Sequence, residues 1–360
     1  MQEILSELDD IAGKVERLES KRKRLGNFLQ EVKDEEIEGE KIPEKKISIE
    51  VEEGDLSGGS ICGIDGGLLK KSYHAVDLVL TKAVAVVFDF NDGLENVSYY
   101  PSSLPTPKLS VFTEPLSRED FSLAANLERM EIEADIALKT MNRKDLSLLL
   151  MDGSIVPHPS TNPSEDSDVK EKFEDVLETY GEILNSPPCL LAGVSEDSRS
   201  RKFSKIVSDD ILEKVKSEKK KNLKDILKGT RDTNLLFYVL KQGERTSYFR
   251  YCDDFEKSYL PKNILENIYS FYLKATEYDR PLRVDFYASG DPTETADMIA
   301  SKLLSLSADN EEYAIPTVLI EADKRASLKE EELQFIYSSL QDKVGDVPSL
   351  YKLRRDERPF

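Results

Sequence analysis

The stretch CGIDGG, residues 62–67, places one acid between glycines at the end of a short apolar run. Residues enriched in β-branched and aromatic types surround it and predict strands at 60–65, 75–90 and 95–101. NDG at 91–93 is a strong hairpin-turn signal between the last two strands. The region therefore predicts an antiparallel meander, with Asp65 at the end of its first strand.

A helix and a buried strand follow the meander. Residues 117–143 open with a Ser-x-x-Asp capping pattern and carry apolar residues on one face, which predicts a helix. DLSLLLMDGS, residues 145–154, is a continuous apolar run that ends in an acid and a glycine, as buried central strands do. Together these segments predict an α/β fold: a mixed sheet flanked by helices.

Hydrophobic patterning extends this alternation to the C-terminus. We expect helices at 168–185, 208–228, 261–275, 292–306 and 329–344. We expect strands at 189–197, 233–241, 246–252, 283–288 and 316–323.

The N-terminal segment has a heptad pattern. Its apolar residues alternate by four and three at Ile4, Leu8, Ile11, Val15, Leu18, Leu25, Leu29 and Val32. This predicts a coiled-coil-like helix over 1–33, either packed on its own domain or contacting a partner. Residues 34–58 are expected to form a charged linker with one edge strand at 47–52, followed by the main domain at 59–345 and a loose tail at 346–360.

The charge balance bears on possible partners. With 70 acidic and 50 basic residues the chain has a net charge of −20, which disfavours nucleic acid unless basic residues cluster or metal ions mediate contact. Basic clusters at 21–24 and 216–224 are typical of solvated helix faces as well as of phosphate-binding patches. Three separated cysteines suggest reduced thiols, and no apolar run is long enough to span a bilayer, so we expect a cytoplasmic protein.

Asp65 and Asp152 share one context, because each follows an apolar run and precedes a glycine. Two carboxylates held together repel each other unless a proton or cation intervenes, and Mg²⁺ and Mn²⁺ prefer oxygen ligands. The alternative is that each aspartate caps a turn. A third acid would come from the intervening helix, where Glu131 and Glu133 lie on opposite flanks of the apolar stripe, and periodicity does not choose between them.

Several short motifs, in this order, resemble those of the NurA nucleases, archaeal and bacterial enzymes with an RNase H-like core. They follow a charged N-terminal helical region and cover most of the chain from about 60 to 330. The motifs are CGIDGG at 62–67, ERMEIEAD at 128–135, LLLMDGS at 148–154, AGVSEDSRS at 192–200, RVDF at 283–286 and IPTVLIEAD at 315–323.

The resemblance implies a metal-binding set of Asp65, Glu133, Asp152 and Asp323. Glu133 is preferred to Glu131 by its distance before Asp152. This set would hold Mn²⁺ or Mg²⁺, as two metals, for phosphodiester hydrolysis. Asp65 would bridge the metals from the central strand.

The chain departs from the family pattern at several positions. Ile315-Pro316 stands where the family has tyrosine-proline, although Tyr313 lies two residues away. Asp323 stands where the family has histidine, and an aspartate still offers an oxygen ligand. Glu196 stands where a basic residue is expected.

The resemblance also implies a role and partners. The role is a 5′–3′ exonuclease and single-strand endonuclease in DNA end resection and double-strand break repair. The partners are DNA, a HerA-type hexameric ATPase and a second copy of the chain, with the heptad helix as the candidate contact. Two alternatives stay open: a catalytically inactive scaffold that binds the ATPase or DNA ends, and an actin-like sugar or acetate kinase, for which the sequence lacks a late glycine-rich adenosine motif.

Overall fold

The chain alternates helices and strands through most of its length. The computed structural model describes residues 2–113, 116–158, 163–164, 166–214, 220–253, 259–307 and 310–354. The helices are α1 Gln2–Glu31, α2 Arg118–Met141, α3 Lys170–Ile183, α4 Lys202–Ile206, α5 Leu212–Lys214, α6 Lys220–Leu227, α7 Asp232–Leu236, α8 Lys262–Leu265, α9 Pro292–Ser307, α10 Thr317–Ala326 and α11 Glu330–Val344. The strands are β1 Ser48–Glu50, β2 Ser60–Ser72, β3 Asp77–Asn91, β4 Gly93–Tyr100, β5 Lys108–Phe112, β6 Leu148–Asp152, β7 Leu190–Ser195, β8 Glu244–Thr246, β9 Phe249–Arg250, β10 Ile268–Lys274 and β11 Leu282–Tyr287.

The structure divides into two compact units. Unit 1 comprises Met1–Asp55, Val194–Asp253 and Glu266–Pro316. Unit 2 comprises Leu56–Gly193, Asp254–Leu265 and Thr317–Phe360. Among the described residues, no helix is long and apolar enough to cross a membrane.

Unit 2 is built on a mixed sheet. The meander of β2, β3 and β4 is antiparallel, as its hairpin-turn signal predicts. On its other side β2 pairs in parallel with β6, so the strand order is β7-β6-β2-β3-β4, with β5 beside β3. The predicted mixed α/β sheet flanked by helices is confirmed.

Glycines in β2 allow helices to pack closely on both faces of this sheet. A Cβ at Gly63 would lie 2.8 Å from the Val318 carbonyl oxygen, and one at Gly67 would lie 2.1 Å from that of Ala326, so α10 covers this face. Gly66 points to the opposite face, where a Cβ would meet the side chain of Glu133 on α2. The glycines of the opening motif therefore set the distance between β2 and its two helices.

Unit 1 contains an antiparallel sheet with the order β1-β8-β10-β11, and β9 also pairs with β10. β1 confirms the edge strand predicted at 47–52. The C-terminal half of α1 packs into the core of this unit through Leu25 and Leu29. Ile37, Ile42 and Ile47 belong to the same core, so this part of the charged segment is packed into the unit.

Three sequence expectations are wrong. The segment 233–241, expected as a strand, contains α7. The helix expected at 261–275 is the short α8 followed by β10, whose sequence IYSFYLK is rich in aromatic residues that suit a strand. The strand expected at 316–323 is α10, in which Val318, Leu319, Ala322 and Ala326 are buried with helical spacing.

Three further positions differ in detail. Asp65 does not end its strand, because β2 continues to Ser72. β5 has no counterpart among the expected strands. Of the helix expected at 208–228, residues 207–211 are π-helical, α5 and α6 are α-helical, and 215–219 lie outside the described residues.

Candidate metal centre

Asp65 lies in the middle of β2 on the face covered by α10. Successive strand residues alternate between faces, so Asp65 shares its face with Gly63 and Gly67, which contact α10. Its side chain is buried, and one carboxylate oxygen accepts a hydrogen bond of 2.7 Å from the Gly66 N–H. Burial raises the pKa of Asp65 although this hydrogen bond acts in the opposite direction.

Glu133 reaches the same strand from α2. Its side chain lies over Gly66, where a Cβ would be 2.5 Å from its Oε1. The residue is 5% exposed, and Oε1 has no hydrogen-bond partner among the described residues. Burial raises the pKa of Glu133 to about 8, and the charges of Asp65 and Asp152 act in the same direction. A partly bare, buried carboxylate next to two others favours a proton or a cation at this point.

Asp152 is the last residue of β6 and is exposed. The parallel register pairs Met151 with Ile64, which brings the next residue of each strand, Asp152 and Asp65, side by side. The side chain of Asp152 lowers the pKa of Asp65, against the larger effect of burial. Gly153 follows with a φ of +92°, a conformation that favours glycine. The chain can therefore turn away immediately after the carboxylate.

Asp323 comes from α10 and is exposed. Its negative charge raises the pKa of Asp65, after the larger effect of burial. The residue therefore faces the same group of carboxylates from a helix rather than from the expected strand.

Arg129 is the residue that sequence reasoning missed. Its guanidinium lies 3.3 Å from Glu133 Oε1 as an ion pair without hydrogen-bond geometry. The charges of Glu133, Asp65 and Asp152 all raise the pKa of Arg129. The i, i+4 spacing of Arg129 and Glu133 on one helix was the available signal.

Glu131 lies elsewhere on α2. Its carboxylate is 3.1 Å from both Lys108 and Lys172, in ion pairs that also involve Glu128. The structure thus brings Glu133 beside Asp65 and leaves Glu131 in a separate ion-pair network.

The donor set fits a hard divalent cation. All four acidic side chains offer oxygen, and the buried Oε1 of Glu133 accepts no hydrogen bond from the described residues. Among the described residues, no three Asp, Glu, His or Cys side chains already converge in coordination geometry. Asp65, Glu133, Asp152 and Asp323 would hold such a cation, which would supply positive charge beside Arg129.

Two residues that depart from the family pattern, Ile315 and Glu196, lie in unit 1, as does Tyr313. Ile315 is buried. The Tyr313 hydroxyl donates a hydrogen bond of 3.3 Å to Glu196, so two of these residues contact each other.

Solved structures share this fold. The NurA nuclease from Sulfolobus solfataricus superposes with a TM-score of 0.59 at 16% identity, covering 100% of this chain and 99% of that one. A NurA structure bound to dAMP and manganese has a TM-score of 0.56 at 10% identity, with coverages of 85% and 92%. A NurA structure with manganese gives 0.51 at 10% identity, with coverages of 83% and 92%.

Sequence comparisons give a more direct assignment. A search of curated protein sequences finds no significant match. The family model for the NurA domain matches residues 59–328, which include all four acidic residues, Asp65, Glu133, Asp152 and Asp323. The match covers well over half of the chain, and the chain belongs to the NurA nuclease family.

Proposed function

We propose that the protein is a divalent-metal-dependent deoxyribonuclease whose metal ligands are Asp65, Glu133, Asp152 and Asp323. The observation that carries the proposal is the buried carboxylate of Glu133 beside Asp65 and Asp152, because one of its oxygens accepts no hydrogen bond from the described residues. Relatives in the family have been solved with manganese, one of them with dAMP as well.

The four residues have different tasks in this proposal. Mn²⁺ or Mg²⁺, bound as a pair, would stabilise the attacking and leaving oxygens of phosphodiester hydrolysis. Asp65 would bridge the metals. It lies on β2 beside Asp152 of β6, and Glu133 packs on the next residue of β2, Gly66. Asp152 and Asp323 are exposed, so they would hold the side of the site that DNA approaches.

The finer role follows from family membership. We propose a 5′–3′ exonuclease and single-strand endonuclease that acts in DNA end resection with a HerA-type ATPase and as a homodimer. The exposed apolar residues of α1, from Ile4 to Leu18, support a protein contact at that helix. Because the chain belongs to the NurA family, nothing supports the alternative of an actin-like sugar or acetate kinase.

The test compares cleavage of end-labelled single- and double-stranded DNA in Mn²⁺, Mg²⁺ and EDTA. We expect metal-dependent cleavage that falls at least about 10²-fold in Asp65→Asn, because a central ligand is lost. The control is Glu131→Gln. Glu131 lies on α2 but is not one of the four proposed metal ligands, so this variant should retain activity.

A folded wild-type protein that binds Mn²⁺ but cleaves nothing, even with the ATPase added, would contradict the nuclease proposal. That result would favour the inactive scaffold. Cleavage that appears only with the ATPase would instead show that the motor activates the site.

A further inference from the structure

Basic residues of unit 1 that have no role in the carboxylate site lie on both sides of α6. The cluster at 21–24 lies on α1, which contacts α6. A cavity of about 920 Å³ lies there, with Lys21, Arg22 and Arg24 in its lining. The basic residues at this cavity come from a helix that is far from α6 in sequence.

A second cavity lies between α4 and α6. Its volume is about 560 Å³, and Arg201, Lys205, Lys224 and Lys228 line it. Asp225 on α6 borders both cavities, so they flank the same helix. Among the described lining residues of the two, seven cationic side chains face three acidic ones, Glu31, Asp209 and Asp225. Glu19 and Glu213 pair with two of the cations, Arg22 and Lys224, and two more positive than negative side chains then remain. A local excess of positive charge in a chain of net charge −20 is selective for an anionic partner.

Each cavity wall also holds a polar atom without a partner. The Ser204 side chain is 2% exposed in the lining of the second cavity, and its hydroxyl has no hydrogen-bond partner among the described residues. In the first cavity the buried Nε of Arg22 likewise has none, although Arg22 pairs with Glu19 through another nitrogen. Unmade hydrogen bonds of buried groups are costly, so both donors indicate an acceptor that the chain does not supply.

We propose that these two cavities, together the α6 groove, bind the phosphate backbone of nucleic acid outside the carboxylate site. The identification of the polyanion as DNA rests on the proposed nuclease function. Lys and Arg neutralise phosphates, and phosphate oxygens accept hydrogen bonds from serine hydroxyls and guanidinium groups. A nucleic acid strand repeats its phosphates and so supplies both cavities at once, which favours it over an acidic protein segment. The α6 groove would then hold substrate by charge, without reading its sequence.

The test measures binding of a fluorescein-labelled single strand of about 40 nucleotides by anisotropy in EDTA, between about 50 and 200 mM salt. The variant is Lys21→Glu/Lys205→Glu, one exposed lysine from each cavity. The matched control is Lys14→Glu/Lys46→Glu, exposed lysines of unit 1 that line neither cavity. Both pairs change the net charge equally.

We expect the cavity variant to bind at least about tenfold more weakly at low salt and to reduce the slope of log K against log salt by about two. The control should bind within about twofold of wild type. Thermal unfolding checks that the variants fold. If the charge-reversal variant does not fold, Lys21→Gln/Lys205→Gln replaces it and should reduce the slope by a similar amount, because it removes the same two phosphate contacts.

Three outcomes would overturn the proposal: equal weakening in both pairs, no binding of DNA by wild type in EDTA, or stronger displacement by polyglutamate than by unlabelled DNA. The last would indicate an acidic protein partner. Mn²⁺-dependent cleavage of a substrate of about eight nucleotides by wild type tests the nuclease function separately. Loss of that cleavage in wild type would remove the nuclease function, whatever the binding result.

Discussion

At the scale of single residues, Glu133 combines burial with negative neighbours. Its pKa in the folded state, about 8, is above the usual value of 4.5. A raised pKa means that the folded state binds the proton more tightly, so the stabilisation is complete below the unfolded pKa and is lost as pH rises toward 8. In EDTA, we therefore expect the unfolding free energy to fall by about 2 kcal/mol or more between pH 5 and pH 8.

Glu133→Gln tests this cause. A glutamine carries no charge, so the variant should lose most of this pH dependence and unfold at a higher temperature than wild type in EDTA at pH 8, while DNA cleavage disappears. Mn²⁺ should stabilise wild type most at high pH, because it compensates the same charge. Denaturant unfolding at several pH values, with Glu131→Gln as control, measures this. An unchanged pH slope in Glu133→Gln would assign the dependence to other groups.

The residue scale also shows what the sequence could predict of the site. Asp65 and Asp152 could be identified as candidates from the sequence, because each follows an apolar run and precedes a glycine. The parallel register of β2 and β6 places them side by side. The choice of Glu133 over Glu131 needed the sheet, since only the contact with Gly66 decides which flank of α2 meets β2. Arg129 was missed because most basic residues on acidic helices are exposed to solvent, and nothing in the sequence distinguishes this one from them.

At the scale of elements, the packing of α10 on β2 decides whether Asp323 reaches the site. A Cβ at Gly67 would lie 2.1 Å from the Ala326 carbonyl oxygen, a backbone atom that moves only with its helix. We expect Gly67→Ala to destabilise the protein by about 2 kcal/mol or more, through displacement of α10. The displacement should also reduce cleavage, because α10 carries Asp323.

Gly181→Ala is the matched control for this substitution. Gly181 lies inside α3, where an added Cβ has no neighbour within 4 Å. This variant should be more stable than wild type by about 0.5–1 kcal/mol, since alanine is the better helix former. Urea unfolding of both variants measures the difference. A Gly67→Ala protein as stable and active as wild type would mean that α10 is not tightly held against β2.

Element type was predictable where one pattern dominated. The meander, α2 and β6 combine a clear hydrophobic pattern with capping or turn residues. The prediction was wrong for α10 because TVLI is rich in β-branched residues, and such short apolar runs suit a strand or a buried helix equally. In α10, the helical spacing of its buried residues and the small glycines of β2 decide the outcome, and the second of these is a tertiary effect.

At the scale of the whole molecule, the heptad face of α1 changes from buried to exposed along one helix. Leu25 and Leu29 are fully buried in unit 1, whereas Leu8, Ile11 and Val15 are each more than half exposed. Within the described chain the N-terminal half of this face is therefore uncovered. Its heptad spacing continues the pattern of the buried half, and a coiled-coil contact with a second helix would cover it.

We expect Leu8→Glu/Val15→Glu to leave the unfolding transition unchanged within about 0.5 kcal/mol, because these side chains are already exposed. The same variant should shift a wild-type dimer to monomer in analytical ultracentrifugation, since two charges would enter the contact.

Leu25→Glu is the contrast: it places a charge in the core of unit 1 and should destabilise the fold by several kcal/mol. If Leu8→Glu/Val15→Glu still forms dimers but no longer binds the ATPase, the apolar face of α1 is the contact with the ATPase. If both associations persist, the apolar face of α1 has neither role.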